Sequence, residues 1–165
     1  ASSSFDSEGV PTASKRIIEK GVLITYLYNL KTARKDGVES NANASKGSYK
    51  GTICTAPSNI YIETGKVSFD EMIGIIDEGV FITGFQGLHA GIDSISGDFS
   101  LQCHGFEVKN GKLGKPVSQI TVSGNFFEML KAIDAIGDDL VFSIMASDFM
   151  GAPSMSINKM AISGI

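Results

Sequence analysis

The chain has 165 residues, of which 42% are hydrophobic and 19% are charged, and its formal net charge is −4 at pH 7. This length and apolar content suit one ordinary domain with a buried core and exclude a disordered chain. The acidic balance argues against a direct nucleic-acid binder, because such proteins usually carry an excess of basic residues.

The sequence carries no signal for a membrane or for secretion. No apolar run approaches the length of about 18 residues that a membrane-spanning helix needs, and no basic segment followed by an apolar one opens the chain. Cys54 and Cys103 are too few for a disulfide framework and favour free thiols in a reducing compartment. The sequence therefore predicts a cytoplasmic protein without membrane association.

The first part of the chain predicts a hairpin, a short helix and a long loop. Residues 15–28 are rich in β-branched and aromatic residues on both sides of Gly21, as in a β-hairpin. A short helix is expected between a capping Asn29 and Gly37. Residues 38–59 are rich in Ser, Asn and Gly and predict a long loop, whose order without a partner the sequence leaves open.

A second helix is predicted in the middle of the chain. Ser68 and Glu71 have the spacing of a capping box, and apolar residues follow at helical spacing. Gly79 stands where a glycine often ends a helix. Short strands are expected before and after this helix, over residues 60–63 and 80–83.

The last third predicts a hairpin, a helix and two strands. The dipeptide Asn110-Gly111 is a strong turn signal between strands expected at residues 98–108 and 113–122. A helix over residues 125–136, with Asn125 as its cap, is expected from the apolar spacing. Two more strands are expected over residues 140–146 and 154–163.

These elements amount to about eight strands and two or three helices. The strands come mostly as hairpins and not as βαβ units. The sequence therefore predicts an α+β fold: a β-rich domain with a mixed or antiparallel sheet, built from hairpins, with two to three helices.

Residues that could carry chemistry are scarce. Cys103 and His104 are neighbours on a predicted strand, so their side chains point to opposite faces and cannot easily share one ion. The chain has no His-x-x-x-His or Cys-x-x-Cys pair and no Gly-x-Ser-x-Gly nucleophile elbow. No metal ligand, cofactor or catalytic residue is therefore predicted in this chain.

The most informative stretch is the glycine-rich centre at residues 87–100. Glycines there would let another backbone approach closely, and a neighbouring edge strand could accept an extended peptide. A tight corner between two sheets would need the same residues. The residue types alone leave both interpretations open.

That centre and the stretches around it resemble the TldD/PmbA family, whose members are also described as modulators of DNA gyrase. The similarity covers nearly the whole chain. The matching stretches are residues 5–12, 21–23, 32–35, 57–59, 91–100, 105–117, 120–127 and 136–139.

The resemblance implies a domain of a larger protein. In this family the TldD-type subunit is a zinc metallopeptidase with a His-Glu-x-x-x-His helix and a later cysteine ligand, and it acts on unfolded peptides. The PmbA-type (TldE) subunit lacks that motif and pairs with TldD. By resemblance, residues 13–165 are the C-terminal domain, and residues 1–12 are a linker from a missing upstream region.

The resemblance is closer to the PmbA/TldE side. The chain has no His-Glu-x-x-x-His motif, which truncation alone could explain. It also has no late cysteine: residues 147–151 stand where TldD-type chains are expected to carry a Cys-Gly-Lys-type segment. The implied role is a non-catalytic contribution to the peptide channel and subunit interface of a heterodimer, with zinc in the TldD-type partner.

Four residues of the glycine-rich centre are the candidates for this channel or interface. They are His89, Asp93, Gly97 and Asp98. The expected partners are a TldD-type subunit and a peptide substrate, with a homo-oligomer left open. The alternatives are a metallopeptidase in its own right, with zinc ligands upstream, and a gyrase-binding modulator without enzymatic activity.

Overall fold

The computed structural model describes residues 3–143 and 149–164. The chain divides into two compact units, Ala1–Tyr61 with Phe142–Gly151 and Ile62–Val141 with Ala152–Ile165. Over the described residues there are three helices and thirteen strands. The predicted α+β, β-rich class is confirmed, and about eight strands was too few because several further short strands form only through pairing with distant segments.

The first unit begins with the predicted hairpin. Strands β1 (Ile18–Glu19) and β2 (Val22–Leu23) pair antiparallel, and Lys20 and Gly21 between them have φ of 49° and 78°. Such left-handed conformations are what a two-residue hairpin turn requires. Helix α1 (Leu30–Asp36) begins after the predicted cap Asn29 and ends at Gly37, whose φ is 69°.

The segment expected to be one long loop contains short strands. Strand β3 (Ala44–Ser45) pairs with β4 (Cys54–Thr55), and β5 (Asn59–Tyr61) follows. The side chain of Asn41 holds this segment: its Oδ1 accepts the N–H of Tyr28 at 2.7 Å, and its Nδ2 donates to the Tyr26 carbonyl at 2.8 Å. The side-chain hydrogen bonds that order this segment lie outside any local sequence pattern.

Asp6 connects the beginning of the chain to this unit. Its Oδ1 accepts the N–H groups of Glu8 and Val10 at 2.9 and 3.0 Å, and its Oδ2 accepts that of Ala44 at 3.0 Å. Residues around Asp6 are thus hydrogen-bonded into the unit. That residues 1–12 link this domain to an upstream region stays a prediction.

The remaining strands of the first unit include a parallel pair. Strand β11 (Phe149–Ala152) pairs parallel with β5 and lies between β5 and β10 (Val141–Ser143). Of the strand expected over residues 140–146, residues 141–143 form β10. Residues 144–148 lie outside the described part of the chain.

Helix α2 (Phe69–Gly74) opens the second unit with the predicted capping box. The Ser68 hydroxyl accepts the N–H of Glu71, and the Glu71 carboxylate accepts the N–H of Ser68 at 2.9 Å. The expected end at Gly79 was wrong, because the helix ends at Ile75 and Gly79 lies within strand β6 (Glu78–Gln86). There Gly79 pairs with the following strand instead of capping the helix.

A four-stranded antiparallel sheet dominates the second unit. Strands β7 (Asp98–Lys109) and β8 (Lys112–Asn125) form the long hairpin predicted from Asn110-Gly111, whose φ angles are 48° and 72°. The strand order is β13-β8-β7-β6, where β13 is Ala161–Ser163.

Both faces of this sheet are covered over part of their length. On one face, Leu101 pairs with Val122 and Cys103 pairs with Ile120, and all four side chains are buried. On the other face, the ring of Phe69 from α2 packs edge-on against Phe81, with centroids 4.8 Å apart. Exposed residues alternate with the buried ones along these strands, so each strand is half-buried.

The predicted third helix is half right. Helix α3 (Phe126–Lys131) begins at Asn125, but residues 133–136 form strand β9 (Ile133–Ile136), which pairs with β12 (Met155–Ile157). The helical spacing was misleading because the apolar residues of β9 serve a strand pairing. The strand expected over residues 154–163 is divided into β12 and β13.

Asp139 joins the segment after β9 to the one before β12. Its Oδ2 accepts the Ser154 hydroxyl at 2.6 Å and its Oδ1 accepts the Ser154 N–H at 2.9 Å. These bonds hold the pKa of Asp139 below its usual value. A carboxylate with a lowered folded pKa stabilises the fold above its unfolded pKa, and this contribution is lost as pH falls through the folded value.

We therefore expect the Asp139→Asn variant to lose less stability than the wild-type chain as the pH falls below about 4. The measurement is urea unfolding at neutral pH and at a series of acidic pH values. Ser154→Ala, which removes only the hydroxyl donor, is expected to give part of the same effect. An unchanged acid dependence in Asp139→Asn would contradict this role of the carboxylate.

Candidate functional site

The candidate site is the loop between β6 and β7, residues 87–97, called here the central loop. Its first turn is closed by the N–H groups of Ala90 and Gly91, which donate to the Gly87 carbonyl at 3.0 and 2.9 Å. A Cβ on Gly91 would lie 2.5 Å from the Ser100 carbonyl oxygen. This turn is therefore packed so tightly on β7 that it requires glycine.

The second turn is organised by Asp93. Its Oδ1 accepts the N–H groups of Ile95 and Ser96 at 2.8 and 3.1 Å, and its carbonyl accepts the N–H of Gly97 at 2.9 Å. The two hydrogen bonds to the carboxylate lower the pKa of Asp93. Gly97 is buried and has φ of 80°, a conformation that glycine adopts without strain.

Asn125 clamps the second turn from the far end of β8. Its Nδ2 donates to the Ser96 carbonyl at 2.9 Å and to Asp98 Oδ1 at 2.8 Å. Its Oδ1 accepts the N–H of Phe127 at 3.0 Å, which caps α3. One side chain therefore fixes both the loop and the start of the helix.

The surface beside this loop is open and combines polar side chains with exposed apolar ones. An open depression of about 730 Å³ is lined by residues 90–95 and 98–100. At its edge Ile95 is 92% exposed, and Leu88 and Ile92 are also exposed. Phe126 and Phe127 are about half exposed, and the ring of Phe127 packs on Gly97. Contiguous exposed apolar patches are typical of surfaces that bind another molecule.

The structure brings together three of the four predicted site residues. Asp93, Gly97 and Asp98 lie in the second turn, whereas His89 lies exposed in the first. Their contact with a peptide or subunit stays a prediction. Sequence reasoning missed Ile95 as an exposed apolar tip, for which an isoleucine among Ser, Gly and Asp was the available signal, and it found Asn125 only as a helix cap.

The His and Cys side chains are dispersed. Cys103 is buried, which raises the pKa of its thiol, whereas His104 is exposed and its ring lies over Gly84. Over residues 3–143 and 149–164, no three His, Cys, Asp or Glu side chains come together to hold a metal ion. The residues described here therefore do not fit a zinc site of their own, and residues 147 and 148, at the expected late-cysteine position, lie outside them.

Among the described residues, no helix has the length and apolar character needed to cross a bilayer.

We expect Asn125→Asp to loosen the central loop, because it keeps the capping oxygen but removes both donors and places a second carboxylate beside Asp98. The expected loss is about 1–2 kcal/mol in the free energy of unfolding. Amide hydrogen exchange at Gly97, followed by mass spectrometry or NMR, should become faster. Asn125→Ser, a capping residue without the charge, should lose less, and unchanged exchange in both variants would contradict the clamp.

Comparison with known proteins places the whole chain in one family. Residues 1–164 match the family model described as the PmbA/TldA metallopeptidase C-terminal domain. A metalloprotease of Methanothermobacter thermautotrophicus is 34% identical over 93% of this chain and 33% of its own length. Metalloprotease PmbA of Escherichia coli O157:H7 is 36% identical over 85% of this chain and 28% of its own.

Solved structures agree with the sequence matches. A Thermotoga maritima protein described as a proposed modulator of DNA gyrase superposes with a TM-score of 0.82 at 42% identity, over 98% of this chain and 35% of that one. TldE from Thermococcus kodakarensis superposes with a TM-score of 0.87 at 26% identity, over 98% and 36%. The chain spans about a third of the length of the curated relatives described above. It belongs to the PmbA/TldD family and corresponds to that family's metallopeptidase C-terminal domain.

Proposed function

We propose that this domain is the PmbA/TldE-like, non-catalytic part of a heteromeric metallopeptidase. In this proposal its central loop contributes to the peptide channel and to the interface with a TldD-type subunit. The observation that carries the proposal is the apolar tip of the loop, where Ile95 is 92% exposed beside an open depression. Family membership and the similarity to a TldE structure support it.

The central loop has the properties of a preorganised binding surface. The hydrogen bonds of Asp93 and Asn125 already hold it in one conformation, so little conformational entropy is lost on binding. Exposed Ile and Phe side chains at its rim are the kind of anchors that carry interface energy. The carboxylates of Asp93 and Asp98 accept hydrogen bonds within the site, which suits them to shape the loop.

In this proposal the two subunits have different chemical roles. A zinc ion held by the TldD-type subunit would supply the activated water for peptide hydrolysis. The residues of this chain would bind and orient the peptide beside it. Free thiols at both Cys54 and Cys103 support a reducing compartment, and we place the complex in the cytoplasm.

The test is co-purification of the full natural protein with a TldD-type protein from the same source. We expect the two proteins to form a complex that cleaves unstructured peptides. The Ile95→Asp variant should bind the TldD-type protein at least tenfold more weakly. Ile75→Asp is the matched control, because Ile75 is also an exposed isoleucine, at 73%, next to α2. Failure of two well-folded proteins to associate would overturn the proposal.

Two other outcomes would support the alternative functions. Stoichiometric zinc and peptidase activity in the protein purified alone would make it a metallopeptidase in its own right. A change in gyrase supercoiling on adding an excess of the protein would support a modulator without enzymatic activity. We expect neither result.

A further inference from the structure

The turn between β7 and β8 holds the one Asn-Gly dipeptide of the chain, Asn110-Gly111. In such a pair the backbone nitrogen of the glycine can attack the side-chain amide carbon of the asparagine, because glycine has no side chain to obstruct the approach. A new N–C bond closes a succinimide ring, and ammonia leaves with the proton of the glycine nitrogen. Water then opens the ring at either carbonyl group and gives aspartate or isoaspartate.

The fold restrains the nitrogen that would attack. The N–H of Gly111 donates to the carbonyl of Ile76 at 2.9 Å, and the N–H of Asn110 donates to that of Asp77 at 2.7 Å. Both carbonyls belong to the segment between α2 and β6. Because the nitrogen of Gly111 must lose this proton and turn toward the side chain, it cannot attack while its hydrogen bond to Ile76 is made.

The turn also packs closely on the end of α2. A Cβ on Gly111 would lie 2.7 Å from the carbonyl oxygen of Gly74, so the two backbones are in contact. Helix α2 is itself held against β6 by the ring of Phe69, whose centroid lies 4.8 Å from that of Phe81. All of these residues belong to the second compact unit. Release of Gly111 therefore requires the turn to separate from the end of α2, which is a local opening and not a complete unfolding.

We propose that Asn110 is a site of spontaneous conversion to aspartate and isoaspartate, and that the contact of its turn with the end of α2 controls the rate. In the closed turn the reaction is blocked at the nitrogen of Gly111. Each opening frees this nitrogen, so the observed rate is the rate in an unfolded chain multiplied by the fraction of open molecules. This inference goes beyond the proposed heteromer and does not depend on it.

Conversion is expected to loosen the turn permanently. An isoaspartate adds one carbon atom to the main chain of a two-residue turn, and the pairing of Lys109 with Lys112 depends on the length of that turn. We therefore expect the amide of Gly111 to exchange faster after conversion. Since the ammonia is lost, asparagine is not regenerated, and the change accumulates as the protein ages.

The test compares the full natural protein, folded at mildly alkaline pH, with the same protein in concentrated urea. Cleavage after Glu107 and Glu128 yields the peptide 108–128, whose mass and fragments report the conversion of an amide to an acid. We expect conversion at Asn110 to be at least about tenfold slower in the folded protein. Asn125 in the same peptide is the internal control, because the phenylalanine that follows it obstructs ring closure and should leave it unchanged.

Two variants separate local opening from complete unfolding. Phe69→Ala removes the ring that holds α2 against β6 and should make conversion of Asn110 at least about threefold faster in the folded protein. Ile120→Ala lowers the stability of the same unit through the core of the sheet, away from the turn. It should leave the rate unchanged at a temperature where both variants are folded.

Three results would overturn the proposal. The first is an equal rate of conversion in the folded and the urea-unfolded protein. The second is the absence of conversion at Asn110 in urea. The third is an acceleration by Ile120→Ala as large as that by Phe69→Ala, which would make complete unfolding the controlling step.

Discussion

Replacement of Gly105 by alanine is expected to lower the free energy of unfolding by about 3 kcal/mol. Gly105 lies in β7 directly opposite Ile82 of β6. A Cβ at this position would overlap the carbonyl oxygen of Phe81 and lie 2.9 Å from the Cα of Ile82. Because these are backbone atoms of a paired strand, relief requires β6 and β7 to separate.

Urea unfolding of Gly105→Ala at neutral pH measures this effect. The matched control is Gly114→Ala in β8, where the nearest atoms to a new Cβ are 3.4 Å away, an ordinary contact. We expect the control to change stability by less than about 1 kcal/mol. Equal unfolding midpoints for the two variants would show that β6 and β7 are not held as closely as described.

Truncation of Ile120 should have a similar or larger effect. Ile120 is 1% exposed and pairs with Cys103, which is also 1% exposed, in the centre of the sheet's core. Ile120→Ala removes three buried carbon atoms and leaves a cavity that the paired strands cannot close. The expected loss in the free energy of unfolding is about 3–4 kcal/mol.

The comparison variant is Ile95→Ala, at the exposed tip of the central loop. The same side-chain truncation there should change the free energy of unfolding by less than about 0.5 kcal/mol. The pair therefore separates burial from side-chain chemistry in one measurement. A small loss in Ile120→Ala would contradict the assignment of the core.

The sequence predicted local structure correctly where it depends on interactions between residues close together in the chain. The Asn29 cap and the Ser68–Glu71 box satisfy backbone groups within three residues of themselves, so neither needs anything from the rest of the fold. At the Asn110-Gly111 turn the sequence predicted the left-handed φ angles, whereas the N–H groups of both residues donate to the distant carbonyls of Asp77 and Ile76. The long β7–β8 hairpin was predicted from this turn, which sets the register of the residues next to it, whereas the two register shifts farther along the pair, between residues 103 and 105 and between residues 106 and 108, have no such local signal.

Predictions failed where a distant partner outweighed the local pattern. Residues 133–136 have helical spacing but form β9, because β12 supplies a strand for them to pair with. Gly79 resembles a helix end but is paired with Val108 in the sheet. The two-residue strands β3 and β4 exist through their pairing with each other and have no pattern of their own.

For the candidate site, too, the sequence predicted some features and the tertiary structure was needed for others. Composition, glycine spacing and family resemblance were enough to assign the α+β class and the family and to single out the loop with Asp93, Gly97 and Asp98. They could not show that Asn125 clamps this loop through the Ser96 carbonyl, 29 residues away, or that, among the described strands, β6 and β13 lie at the two edges of the four-stranded sheet. Both facts depend on which strands are neighbours in the sheet, and pairing between distant segments of a chain is a property of the folded structure.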